Sequence, residues 1–246
     1  MFGYVEWSEP QRGRAALQEQ IILHVRFCRV RLPRTGRTPE WLLRRRAGTA
    51  AGRMRKLGIT RAVFPDPFPL QKEFERKGIR PVAVLPLYRA LAAPLVRAAL
   101  DERGLSAAEA VVAVSADRLG PEVIRAVTEL CIRNRYVTLI APNGEELCRR
   151  LRREYGAALV LTQEARALEN ADVRVLFTPS KAPEGNGPVL NLWNEAEPPR
   201  GLLRLSAELE RQIPDCCNRP QLFSALFQAG ALRAEQVEIS TNRTFA

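Results

Sequence analysis

Residues 110–143 read AVVAVSADRLGPEVIRAVTELCIRNRYVTLIAPN, and this run decides the fold. Val111 to Val114 is an unbroken apolar, mostly β-branched stretch, as expected of a parallel strand covered on both faces. Pro121 stands where a first-turn proline is tolerated, because its missing N–H would have no helical partner there. Val123, Ile124, Val127, Leu130 and Cys131 then recur at helical spacing, and Tyr136 to Ile140 is a second apolar run of strand length. The stretch predicts one βαβ unit and, with it, a parallel sheet.

Downstream the alternation continues. Gly144 to Tyr155 reads as a helix with Leu147, Cys148 and Leu151 inward and Arg149, Arg150, Arg152 and Arg153 outward. Ala157 to Leu161 reads as a strand, Gln163 to Glu169 as a short helix and Val173 to Phe177 as a further strand. Strict alternation favours right-handed crossovers that lay each helix back on a face of one sheet. The loop from Ser180 to Gly187 is flexible by composition. Strands at Val189 to Trp193, Leu202 to Leu205 and Gln236 to Ile239, and a helix at Pro220 to Ala229, complete this side.

Upstream, Pro86 opens a helix in which Pro94 predicts a kink. Before it come the extended Ile79 to Leu85, a short helix at Leu70 to Lys77, and a strand at Ile59 to Phe64 stopped by Pro65, Pro67 and Pro69. Thr38 to Leu57 reads as a helix with Thr38 as N-cap, Pro39 at its first position and Gly58 past its end. Tyr4 to Trp7 and Ile21 to Leu32 read as strands. This pattern places the strands beginning near Ile59, Val111, Val137, Ala158 and Val173 parallel in one sheet, with the Val111 strand central. It divides the chain into an α+β appendage, residues 1–58, and an α/β domain, residues 59–246.

Composition removes several classes. With 46% apolar residues among 246 the chain can bury a substantial core. No run of 18 apolar residues offers a spanning helix, and the N-terminus lacks the apolar region of a secretory signal, so the expected address is the cytosol. His24 is the only histidine and lies in the apolar run IILHVRF, which argues against a zinc site or a Ser/His or Cys/His nucleophile. Of the five cysteines, Cys131 and Cys148 fall on apolar helix faces, while Cys216 and Cys217 are vicinal. No catalytic residue and no metal ligand stands out.

The formal charge is +11, and since only Lys56, Lys72, Lys77 and Lys181 are lysines, 34 of the 38 basic residues are arginines. That bias matches the imprint of a GC-rich bacterial genome and points first to a solvated basic surface. The alternative is nucleic acid held through the helix cations Arg44, Arg45, Arg46, Arg53, Arg55 and Lys56. No aromatic residue is interleaved with that group.

The turn after Val114 is where function would be expected. Ser115, Ala116, Asp117, Arg118, Leu119 and Gly120 occupy the six positions of a GxGxxG dinucleotide-binding turn, in which the first glycine permits the turn and the second lets the pyrophosphate approach the backbone. Only Gly120 is retained, and Asp117 would set a carboxylate beside two phosphate charges. At the end of the second strand stand Ala141, Pro142 and Asn143, with no acid for a ribose.

In layout, Ala110 to Pro183 resembles the NAD(P)-binding domain of shikimate dehydrogenases and glutamyl-tRNA reductases. The resemblance rests on the strand and glycine turn, on VTLIAPN, on EELCRRLRREYGA and on ALENADVRVLFTPSKAP. Gly120, Gly156, Asp172, Thr178 and Pro179 are the specific matches. It implies a Rossmann-like three-layer α/β sandwich whose phosphate loop has degenerated at Ser115 and Asp117. Counterparts of that group's catalytic lysine and aspartate are absent from the preceding region. A site would then lie at the carboxyl ends of the parallel strands, among Ser115, Asp117, Arg118, Gly120, Asn143, Thr178, Ser180 and Lys181, with NAD(H) and NADP(H) disfavoured. The first functional expectation is a non-catalytic or ligand-binding cytosolic module. The alternatives are an NAD(P)-dependent oxidoreductase with an atypical glycine loop and a basic, nucleic-acid-associated protein.

Overall fold

A computed structural model describes residues 1–9, 16–179, 185, 187–199, 202–214 and 218–240. The chain opens with β1 (Phe2–Ser8), β2 (Ala16–Ile22) and β3 (Val25–Pro33). What reads in sequence as one strand from Ile21 to Leu32 is a hairpin, because Leu23 and His24 both take positive φ, 44° and 66°. Two such residues make the tight turn that matches strand twist, a role usually given to Asn-Gly. His24 is exposed at its tip.

Next come α1 (Glu40–Lys56), β4 (Arg61–Val63), α2 (Gln71–Glu75) and β5 (Arg80–Pro81). Pro39, not Thr38, is the cap of α1; the Thr38 hydroxyl instead accepts from the Thr35 N–H at 2.9 Å. Gly58 ends the helix in the left-handed region at φ 75°. Then follow α3 (Leu85–Ala90) and α4 (Ala92–Glu102), the halves of one predicted helix. They part at Leu91, three residues before Pro94, whose ring removes a helical N–H and crowds the preceding turn.

The βαβ unit stands as read: β6 (Val111–Ser115), α5 (Pro121–Arg133) and β7 (Tyr136–Ile140). It continues through α6 (Glu145–Tyr155), β8 (Leu159–Thr162), a 3-10 turn at Ala165–Leu168, β9 (Val173–Leu176) and β10 (Val189–Asn191). The chain ends with β11 (Leu202–Arg204), α7 (Ala207–Glu210), α8 (Arg219–Gln228) and β12 (Glu238–Ser240).

These elements form two compact units. The first comprises residues 1–84 and 205–236, the second residues 85–204 and 237–246. The first holds a sheet in the order β2-β3-β1-β4-β5, parallel except for β2 against β3. Its core joins Val5, Val30 and Leu32 of the sheet to Ala47, Ala50, Ala51 and Met54 of α1, with Phe64 and Phe74 beside them. α8 is tied to this unit by the buried Ser224, whose hydroxyl donates to the Ala83 carbonyl at 2.5 Å, and by Gln221, whose Oε1 accepts from the Phe64 N–H at 2.9 Å.

The second unit holds a five-stranded sheet in the order β10-β9-β6-β7-β8, every neighbouring pair parallel. Counted from β6, that is 3-2-1-4-5, the doubly wound, Rossmann-like order. β6 is central, as its uniform apolarity implies. Two expectations are corrected. The strand beginning near Ile59 pairs with β1 in the other sheet, and its place here is taken by β10. The break also falls after Val84, not residue 58, because β4 and β5 complete the first sheet. No helix among the described residues is long and apolar enough to cross a membrane.

Candidate ligand cleft

A doubly wound sheet leaves a crevice beyond the carboxyl ends of the two strands from which its connections diverge, here β6 and β9. In the second unit that place is a cleft of about 820 Å³. Its walls come from residues 116–120, which link β6 to α5, from residues 121–123 of the first turn of α5, from residues 177–179 after β9, and from Arg89 of α3. A volume of this size suits a small organic ligand, for which pockets of roughly 300–1,000 Å³ are usual.

Asp117 and Thr178 close the crevice from opposite sides. The buried Thr178 hydroxyl donates to Asp117 Oδ2 at 2.5 Å, binding the loop after β6 to the loop after β9. On the far wall Arg89 donates from Nε to the Leu192 carbonyl at 2.8 Å and from Nη1 to Glu122 Oε2 at 2.8 Å. Glu122 lies in the first turn of α5, where a negative charge interacts favourably with the helix dipole. An entering anion would therefore meet a helix end with a carboxylate in its first turn, an arginine already paired, and a second carboxylate at Asp117. Arg118, exposed on the rim, supplies the remaining positive charge.

Gly120, the retained glycine of the motif, has an ordinary φ of −76°, and a Cβ placed there would have no atom within 4 Å. Neither the turn nor the packing of α5 requires a glycine. The close-approach position of this region is Gly144, where a Cβ would lie 2.4 Å from Leu161 Cδ1.

Of the residues expected at the site, Asp117, Arg118, Gly120 and Thr178 share the cleft. Ser115 does not line it; it is buried at the end of β6, with its carbonyl accepting from the Phe177 N–H at 2.9 Å. Asn143, at φ 57°, lines a separate pocket of about 250 Å³ with Glu146 and Arg150. Ser180 and Lys181 lie outside the described residues, as do Cys216 and Cys217. Arg89, Glu122 and Phe177 were not foreseen. Glu122 carried a faint signal as an acid following a first-turn proline, whereas the arrival of Arg89 from another helix had none.

Of the loop expected to be flexible, only Gly185 and Gly187 lie among the described residues. Arg174 on β9 is buried, and its Nη2 donates to the carbonyls of Gly185 at 2.9 Å and Gly187 at 2.5 Å. Burial lowers its pKa from the ordinary arginine value. At Gly187 a Cβ would stand 2.3 Å from the Asp172 carbonyl oxygen, so only glycine passes there. Burial likewise pushes the Cys131 thiol up to about 12, with Cys148 adding to the effect. Such a thiol is a core group and not a nucleophile. No cluster of metal-ligating side chains occurs among the described residues.

No protein-family profile matches the chain, and no curated protein does. Among solved structures, L-tryptophan dehydrogenase from Nostoc punctiforme is similar at 16% identity and a TM-score of 0.28, over 61% of this chain and 44% of that one. Shikimate 5-dehydrogenase from Listeria monocytogenes follows at 8% identity and a TM-score of 0.27, over 62% of this chain and 58% of that one. Ornithine carbamoyltransferase from Pyrococcus furiosus stands at 14% and 0.27, over 71% and 58%. The chain spans about half the length of these proteins. The doubly wound assignment rests on the strand order itself.

Proposed function

We propose that the second unit is a non-catalytic binding module for a small polar molecule, held in the cleft between the loops after β6 and β9. The Asp117–Thr178 hydrogen bond carries this reading, since it spends the position where a dinucleotide's pyrophosphate would lie on a contact between the two loops. The residues present do not fit a dinucleotide in the usual mode. Two carboxylates face its phosphates, and at the end of β7, where a ribose-binding acid would stand, are Ala141, Pro142 and Asn143. Apolar walls from Leu119, Pro121 and Phe177 combined with the polar Asp117, Arg118 and Thr178 suit a compact ligand. The groups of the described lining that could act as base or nucleophile, the carboxylates of Asp117 and Glu122 and the Thr178 hydroxyl, are each already paired within the protein. A cytosolic address is part of the same proposal.

Fragment screening by NMR tests it: bound fragments should shift the amides of Asp117 to Gly120, Glu122, Val123, Phe177 and Thr178. Hits confined to other surfaces would refute the cleft. The alternative, an oxidoreductase with an atypical glycine loop, requires cofactor affinity. Calorimetry is expected to show no binding of NAD(H) or NADP(H) near 1 μM, the affinity that corresponds to about 8 kcal/mol. Affinity at that level would establish the oxidoreductase reading in its place.

A further inference from the structure

The 23 residues 34–56 of the first unit hold eight arginines and lysines against the single carboxylate of Glu40. Their net +7 is the larger part of the chain's +11, so the excess is concentrated and not evenly spread. α1 carries six of the eight cations, and four of them, Arg44, Arg45, Arg55 and Lys56, on one side. Its inner face, Ala47, Ala50, Ala51 and Met54, is fully buried. At about 100° per residue, Trp41, Arg45, Gly48, Gly52 and Lys56 fall along the opposite line, flanked by Arg44 and Arg55. Trp41 is 64% exposed and stands one turn before Arg44 and Arg45, an aromatic that a reading confined to Arg44–Lys56 passes over.

The commitments of these cations differ. Arg46 turns back to the Pro33 carbonyl at 2.9 Å. Arg44 meets Glu40 at 2.6 Å, but both side chains are more than half exposed, so the pair is weak and exchangeable. Arg44 and Arg45 form one cationic group and Arg55 and Lys56 another, 11 residues or about 16 Å along the helix. Between them a Cβ at Gly48 or Gly52 would meet nothing within 4 Å, so the floor between the groups is open backbone.

We propose that this face of α1 binds single-stranded nucleic acid, with Arg44, Arg45, Arg55 and Lys56 on phosphates and Trp41 stacked on a base. Charge complementarity selects a polyanion, and an exposed indole beside paired cations is the platform on which unstacked bases sit. A lipid surface fits less well, because a membrane-binding helix needs an apolar face to insert and that of α1 is committed to the core.

The test is fluorescence anisotropy of a labelled 20-nucleotide oligo(dT) titrated with the full chain. Four phosphates neutralised on a single strand give a log–log salt slope of about −2.8, a roughly 50-fold loss of affinity between 50 and 200 mM salt. Changing Arg45, Arg55 and Lys56 together to Gln should flatten the slope to about −0.7, while the same change at Arg149, Arg150 and Arg153 of α6 should leave it unaltered. Trp41→Ala should weaken binding about tenfold at an unchanged slope, and Trp41→Phe should restore most of the loss. Thermal melting monitored by circular dichroism should find each variant as folded as the parent. A shallow slope in the parent, equal flattening by either triple change, or an unaltered affinity in Trp41→Ala would overturn the proposal. So would tighter binding to phosphatidylglycerol vesicles or to polyglutamate than to the oligonucleotide at matched charge.

Discussion

Asp117 is the residue on which the two readings of the second unit divide. Its carboxylate stands at the second glycine position of the degenerate motif and is bonded to Thr178. Replacing it with glycine removes one charge from the phosphate region and restores the motif residue. Asp117→Gly should therefore raise the affinity for ADP about tenfold, or about 1.4 kcal/mol, as measured by calorimetry. No change would show that the Asp117 carboxylate is not what excludes phosphate. The sequence showed Asp117 to be out of place but could not show its partner, because Thr178 is 61 residues away. A second consequence at this scale concerns pH. Burial raises Cys131 from 9.0 and Tyr88 from 10.0, each to about 12. Above pH 9 the unfolded chain releases these protons before the folded one does, so unfolding is favoured as pH rises. Stability from these groups should be complete below about pH 9 and fall between pH 9 and 12, as followed by urea denaturation. A flat profile to pH 12 would contradict the burial of both groups.

Among the elements, those with strong apolar periods and local stop signals were the legible ones. β6, α5, β7 and α6 fall within about two residues of their expected limits, since each is bounded by a proline, a glycine or a charged turn. The β2–β3 turn was not legible, because Leu23 and His24 carry none of the usual turn chemistry and adopt positive φ only under the pairing of their flanking strands. α1 is informative in another way. Gly48 and Gly52 lie inside a 17-residue helix, and no packing neighbour stands near either. Interior glycine costs a helix about 0.5–1 kcal/mol relative to alanine. Gly48→Ala and Gly52→Ala should each stabilise the first unit by about that amount, read as a rise in denaturant midpoint without a change in slope. A loss of stability would mean that these positions are packed. A gain would leave their retention to be explained by what contacts this face, which is the point at which stability and the proposed nucleic-acid surface meet.

For the whole molecule, local pattern stops being a guide. Strands and helices alternate through both units alike, and nothing local to Ile59–Phe64 tells which sheet the strand will join. That is decided by Gly3 and Tyr4 of β1, which pair with Ala62 and Val63. Gly3 leaves the space that makes this possible, since a Cβ there would stand 2.0 Å from Met54 Cε and 2.9 Å from Ala62 Cβ. The same non-local logic returns residues 205–236 to the first unit. Truncating Met54, fully buried at the centre of that core, leaves a cavity that costs about 2–5 kcal/mol. Native-state hydrogen exchange of Met54→Ala should show reduced protection at Val5 and Val30 and, far along the chain, at Leu222 to Leu226 of α8, whose Ser224 and Gln221 bond to this unit. Protection at Val112, Leu139 and Val175, which belong to the other core, should fall less. If α8 kept its protection while Val5 and Val30 lost theirs, the C-terminal segment would not be part of the first unit. The folding boundary would then have to be redrawn.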